Sequence, residues 1–315
     1  MTQPLVSLIV PCFDAGPWLA PTLESALAQT WPEKEIIVVN DGSRDDSLAV
    51  ARGFAARGVT VIDQPNRGAA AARNRGLQAA HGTFIQYLDA DDLLSPDKIA
   101  AQVELLATRP AGTLATCAWG RFQSDPQTAR FVDDAVFRDF AALDFLVLSG
   151  NTGAMMHPSA WLVPRAVADR AGPWDEALSL NDDGEYFSRV VLASAGLAYS
   201  PTGRSCYRSG LAGSLSQQRS LRARRSQFRS VELIEAHLRG AEDSARTRQA
   251  VANLYQRFIH DFFPNPSDLM QMAENRIMTL GGSSQAEPPM GPKTRLLASV
   301  LGWRNVWRLK SLLHR

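Results

Sequence analysis

The stretch Phe84–Leu94, FIQYLDADDLL, decides how this chain is read. Apolar residues able to form a buried strand run directly into Asp89, Asp91 and Asp92. Carboxylates crowded this closely repel one another and raise each other's pKa, so a chain that gathers them usually shares a cation among them. In the residues that follow, LLSPDK, Ser95 before Pro96 reads as an N-cap and first-turn pair. The aspartates are then surplus to capping a helix.

Outward from this point, short β-branched runs alternate with helical patterns. Leu5 to Val10, Glu35 to Val39, Val59 to Ile62 and Thr83 to Leu88 are each followed by a segment of helical periodicity. Runs apolar along their whole length predict strands covered on both faces, and the alternation predicts a parallel sheet of βαβ units. Ligands of such sheets bind beyond the carboxyl ends of the strands. That rule brings PCFDAG, NDGSRDDS, QPNRGAAAARN and DADD to one edge. From about Thr113 the rhythm changes to a strand or hairpin, a short helix from Phe140 to Leu148, and a helix entered through NDDGEYFSR. Beyond Ser216 the pattern is helical and rich in arginine to about Thr279; Gly281–Pro292 has linker composition.

The 33 basic and 32 acidic residues nearly balance, so no overall field points to nucleic acid as a partner. Cys12, Cys117 and Cys206 lack the spacing of a disulfide framework or thiolate metal site, which predicts a reducing compartment. No run approaches the ~18 apolar residues needed to span a bilayer. The expectation is a cytoplasmic protein, at most peripheral on the inner face of the membrane. The candidate surface is Arg304–Arg315, where Val306, Trp307 and Leu313 share a helical face with Trp303 while Arg304, Arg308 and Arg315 share another.

The segments VSLIVPCFDAG, EIIVVNDGSRDDS, NRGAAAARNRG, GTFIQYLDADDLLSPDKI and AGPWDEALSLNDDGEYFSR, in this order, resemble a family 2 glycosyltransferase with the GT-A fold. The resemblance covers roughly the first two hundred residues and implies a Rossmann-like mixed α/β sheet flanked by helices. The expected organisation is a GT-A domain over residues 1–215, a nucleotide half (1–110) and an acceptor half (111–215), then a helical extension (216–280), a linker (281–293) and a basic apolar tail (294–315).

The resemblance also assigns roles. Asp89 would face the ribose side of a nucleotide, Asp91 would be the main contact to Mg²⁺ or Mn²⁺, and Asp92 would stand behind it as a further metal-site residue. Such hard cations suit oxygen ligands and need few carboxylates besides phosphates and water. Asp41 would accept the imide N–H of uracil or thymine, Pro11 and Phe13 would line the base pocket, and Arg73 would lie near base and phosphates. Asp14 stands where the family more often has asparagine. Asp183 aligns with the family's catalytic base, with Asp182 in reserve, since a sugar hydroxyl needs a carboxylate to take its proton. His157, Trp174 and Glu185 are candidates for the acceptor side.

The implied reaction is inverting transfer of one sugar from a nucleotide-diphosphate sugar, UDP before dTDP, to a hydroxyl of a glycan or lipid-linked acceptor in cell-surface polysaccharide or glycoconjugate synthesis. Processive synthases of the family carry membrane helices and a Gln-x-x-Arg-Trp motif, and this sequence has neither. Two other readings stay open. A haloacid-dehalogenase-like phosphotransferase also places Asp-x-Asp after a strand, though it usually wants Thr or Val where Leu93 stands; a binding module without catalysis is the other.

Overall fold

A computed structural model describes residues 3–211, 218–264 and 267–313 of the chain. Strands β1 (Val6–Cys12), β2 (Lys34–Asp41), β3 (Val59–Gln64) and β4 (Phe84–Tyr87) pair in parallel in the order β3-β2-β1-β4, and β7 (Val163–Pro164) closes the far edge antiparallel to β4. A smaller sheet has the order β5-β8-β6, from Leu93–Leu94, Leu197–Arg208 and Leu114–Phe122. The two-residue alternation of a strand divides the core in two. Leu8, Val10, Ile36 and Val38 pack with Leu19 and Leu23 of α1 (Gly16–Leu27) and Ile99 of α4 (Lys98–Leu106). Ile9, Ile37 and Val39 face the other way, toward α3 (Ala69–Ala79), α6 (Arg165–Ala171) and α7 (Asp182–Leu192). Helix α3 comes so close that a Cβ at Gly76 would lie 2.3 Å from Ile9 Cγ2. The mixed α/β sheet flanked by helices is the architecture the sequence predicted.

The chain runs from β1 outward to β2 and β3, then returns to the opposite side of β1 to form β4. Order reversal of this kind opens a crevice at the strand ends. The acidic turn sits there with both ends pinned. Leu88 N–H donates to Ile9 O at 3.0 Å, and beyond the turn β5 pairs with Ser205 and Cys206 of β8. That pairing overrides the expected Ser95 cap: the chain stays extended as far as Ser95, whose Oγ accepts from Arg204 N–H and donates to Asp97, and Asp97 occupies the N-cap of α4.

Helices α8 (Leu221–Ala241), α9 (Ala245–Phe262) and α10 (Asp268–Thr279) build a third apolar cluster, joined by Leu143 and Leu146 of α5 (Ala142–Thr152). The segment after α10 is tied down, with Ser283 Oγ and Ser284 N–H donating to Asn253 Oδ1 at 2.7 and 2.9 Å. Helices α11 (Pro292–Leu301) and α12 (Trp303–Leu313) follow. Trp303 and Val306, expected on a membrane-facing surface, are instead buried in the third cluster, the Trp303 ring 5.0 Å from those of His260 and Phe263. No helix among the described residues is long and apolar enough to cross a membrane.

Candidate active site

The loops after β1 and β2 are laced together. Asp14, at φ 48°, accepts from Arg44 N–H at 2.7 Å and from its guanidinium at 2.6 Å, and Arg44 lies 5.4 Å over the exposed ring of Phe13. Ala15 N–H donates to Ser47 Oγ and Gly16 N–H to Asp45. Pro11 is half-buried at the end of β1. Gly42, at φ 72°, turns the chain so tightly that a Cβ would meet Asn66 N at 2.7 Å. The preceding Asp41 is buried, and its Oδ1 accepts from Gln64 Nε2 and Arg67 N–H while Oδ2 accepts from Gly68 N–H. It therefore shapes the loop ahead of α3.

Arg73, on the first turns of α3, is the hub. It is 6 % exposed, and its two terminal nitrogens donate to Asp89 at 2.8 Å and Asp182 at 3.0 Å, residues of two separate motifs. Burial works against its charge, and the two carboxylates outweigh burial, so its pKa stands above the ordinary arginine value. The guanidinium lies 4.5 Å over Trp174, which stacks on Tyr186 with centroids 4.0 Å apart. Trp174 is thus the buried floor beneath Arg73. Removing either member of such a buried pair strands the other charge at a cost of roughly 3–5 kcal/mol, so an Arg73→Ala variant would report on folding as much as on ligand contact.

The three aspartates after β4 occupy different environments. Burial pushes Asp89 up, but Arg73 pulls it below the usual carboxylate value. Asp91 is half-exposed, meets no ion-pair partner among the described residues, and is pushed up to about 6 by burial and by Asp89. Asp92 is fully buried and raised further by burial and by both neighbours; its oxygens accept from Arg208 N–H at 2.9 Å and Ser159 Oγ at 3.2 Å, and His157 Nε2 lies 3.4 Å away. Burial lowers the His157 pKa to about 4, leaving a neutral imidazole. Asp89, Asp92 and His157 present ligand atoms within 4.8 Å of one another. Asp91 and Asp92, raised by burial and mutual repulsion, with Asp89 and a neutral imidazole beside them, suit a hard divalent cation.

Across Arg73, Asp182 and Asp183 begin α7. Burial raises both, Asp182 to about 6 even though Arg73 opposes the shift. Asp183 remains half-exposed and accepts from the Gly184 N–H, with no cation paired to it among the described residues. The preceding Asn181 is left-handed at φ 61°; Asp14 is the other non-glycine with positive φ among the described residues, and strained backbone of this kind gathers at functional loops. Two serines of α8 hold this loop. Ser226 Oγ accepts from Ser179 N–H and Leu180 N–H at 2.7 and 2.9 Å, and Ser230 Oγ accepts from Asn181 Nδ2 at 2.6 Å while donating to Asn181 O at 2.9 Å. Glu185 is buried and turned away, accepting from Arg189 and from His237 of α8.

Arg208, Ser226 and Ser230 escaped the sequence reading. Arg208 donates from its backbone to Asp92 and from Nε to Asp91 O, with its guanidinium 4.4 Å from the rings of both Trp18 and Phe122. Its only signal in sequence is one arginine at the end of a strand 116 residues from Asp92. A cavity of about 530 Å³ lined by Glu235, Tyr255 and Arg276 shares no residue with this site. Its buried Glu235 is already matched by Arg239, Arg276 and Tyr255.

With this geometry in view, residues 7–169 match the model of glycosyl transferase family 2. The chain belongs to that family, which sets aside the dehalogenase-like alternative. It is 28 % identical over 194 residues to an uncharacterized glycosyltransferase of Rickettsia typhi, covering 61 % of this chain and 60 % of that one. It is 45 % identical over 94 residues to the uncharacterized glycosyltransferase EpsJ of Bacillus subtilis, covering 29 % and 27 %. The fold resembles Staphylococcus aureus TarS 1–349 in complex with UDP-GlcNAc, at TM-score 0.69 and 18 % identity over 88 % of this chain and 80 % of that one. The mannosyltransferase PcManGT of Pyrobaculum calidifontis, in complex with GDP-Man and Mn²⁺, gives 0.57 and 17 % over 95 % and 80 %.

Proposed function

We propose that this chain transfers a single sugar from a nucleotide-diphosphate sugar, UDP-linked in preference, to a hydroxyl of a glycan or lipid-linked acceptor with inversion. The observation that carries the reading is Arg73: one buried guanidinium joins the Asp89–Asp91–Asp92 turn to the Asp182–Asp183 pair, so a donor-side and an acceptor-side carboxylate group meet at a single residue. The nucleotide-sugar complexes of TarS and PcManGT support the donor class, and the Mn²⁺ of the latter supports metal dependence.

In this reading Phe13 offers its exposed face to the base. A carboxylate has about four acceptor sites. Asp41 uses one on Oδ2 and two on Oδ1, which leaves Oδ2 free to take a uracil imide N–H. Asp89, neutralised by Arg73, faces the ribose. Asp91 would hold Mg²⁺ or Mn²⁺, with Asp89 beside it and Asp92 and His157 behind. Such an ion, when bound, supplies Lewis-acid stabilisation of the departing diphosphate. Asp183 accepts the proton of the acceptor hydroxyl as the new bond forms. Its raised pKa makes it a better proton acceptor than an ordinary carboxylate.

A thermal-shift panel of UDP, dTDP, GDP and CDP with and without Mn²⁺ tests the donor side. Saturation to ~100 Kd stabilises the native state by about 2.7 kcal/mol, several degrees for a chain of this size. UDP is expected to give the largest shift and Mn²⁺ to enlarge it. A larger response to GDP would refute the preference for UDP, and no response to any of the four would refute the nucleotide-diphosphate reading.

The serines of α8 give a second test. In Ser230→Ala the carbonyl of Asn181 keeps only the longer bond from Glu185 N–H at 3.3 Å, its side-chain amide loses the Ser230 acceptor, and the loop before Asp183 loosens; misplacement by about 1 Å can cost ~10²-fold in rate. The expected result is a kcat lower by about tenfold with the UDP thermal shift unchanged. Loss of both together would make Ser230 a residue of general stability instead.

A further inference from the structure

Helix α11 is amphipathic in the wrong direction for a helix packed on its own protein. It turns only Ala298 into the core, while Leu296, Leu297, Val300 and Leu301 are between 45 % and 81 % exposed. At roughly 100° per residue, these four and Lys293 fall within one solvent-facing arc of about 140°. Four large aliphatic side chains within about two turns form a contiguous patch, unlike apolar residues scattered singly over a surface.

The chain around this region is basic, although Arg304 is ion-paired with Glu274 of α10 at 2.6 Å. From Pro288 to Arg315 the sequence contains six Lys or Arg and no Asp or Glu. The arginine-rich start of α8 joins it in space. The guanidinium groups of Arg219 and Arg224 lie 5.8 and 5.7 Å from the Phe262 ring, and those of Arg304 and Arg308 lie 5.9 and 5.6 Å from the ring of the adjacent Phe263. Arginines from two separate segments thus gather at the end of α9. Arg222 and Arg225 stand exposed on the same first turns of α8.

We propose that α11, with this arginine corner, is a docking surface for an anionic lipid bilayer, α11 lying in the interface with its aliphatic arc among the acyl chains. Apolar area and cationic charge act together in such binding, and each basic residue near an anionic surface adds to it. The surface is not the Trp303–Val306 face, which the core already occupies. This inference stands independently of the proposed reaction.

The test is flotation of the full-length protein with phosphatidylcholine vesicles, with and without phosphatidylglycerol. The protein is expected to float with the anionic vesicles, about tenfold less with the neutral ones, and less at high salt. Leu297→Glu combined with Val300→Glu should lower the floated fraction by about tenfold or more while leaving the melting temperature and the UDP thermal shift unchanged. Arg222→Glu with Arg225→Glu should weaken binding to anionic vesicles alone. Failure of the wild-type protein to float, or undiminished flotation of both variants, would overturn the proposal. So would a dimer in light scattering that Leu297→Glu and Val300→Glu dissolve, because the face would then belong to a second copy of the chain.

Discussion

Asp91→Asn is expected to lower kcat by about 10³-fold, to remove the Mn²⁺ enhancement of the UDP thermal shift, and to leave the melting temperature unchanged or raised. The opposite signs of the last effect and the first two are the diagnostic. Asp91 has no ion-pair partner among the described residues and is destabilised by burial and by Asp89, so neutralising it relieves repulsion. A carboxylate serving the fold would cost stability when replaced. One held for a cation costs function, and 10³-fold corresponds to about 4 kcal/mol of transition-state stabilisation. Wild-type turnover and wild-type response to Mn²⁺ in this variant would remove the donor-side reading.

The second large effect belongs to Asp183→Asn, with kcat lower by about 10³-fold, within the range for loss of a general base, and nucleotide affinity unchanged. Its pH profile separates chemistry from packing. A base works only when deprotonated, and burial raises the Asp183 carboxyl above its ordinary value, so the acid limb of kcat/KM should fall at higher pH than for a free carboxylate. Activity is full above that pKa and lost as pH drops through it. The residual activity of Asp183→Asn should lack this limb. Asp182→Asn supplies the contrast: it breaks the buried pair with Arg73, so its melting temperature should fall, whereas that of Asp183→Asn should not. A wild-type acid limb in Asp183→Asn would assign the base elsewhere.

Other regions show why some features were legible in the chain and others were not. The four strands of the nucleotide half were readable because each carries a short apolar, β-branched run ahead of a polar loop; β3, at the sheet edge, departs from the expected cover on both faces, with Thr60 and Asp63 exposed. The Ser95 cap was misread because β5 pairs with β8, more than a hundred residues distant, and Ser95 is drawn into that pairing through Arg204, so the chain turns at Pro96–Asp97 and α4 starts only at Lys98. Trp303 and Val306 looked like a surface face because a helical pattern reports that two sides differ, not which side is covered. The rings of His260 and Phe263 decided that.

The sequence alone determined the parallel sheet, the edge on which its loops meet and the family to which the chain belongs, because all three rest on local order: strand period, loop position and motif succession. The tertiary structure decided which carboxylates form a direct ion pair and which, among the described residues, do not. Asp89 and Asp182 look equivalent to Asp91 and Asp183 along the chain, yet only the first two meet Arg73. The structure also showed that α8, outside the motifs, clamps the loop before Asp183. Electrostatic interaction falls with distance and strengthens as water is excluded, and both distance and exclusion of water are set only when separate parts of the chain pack together.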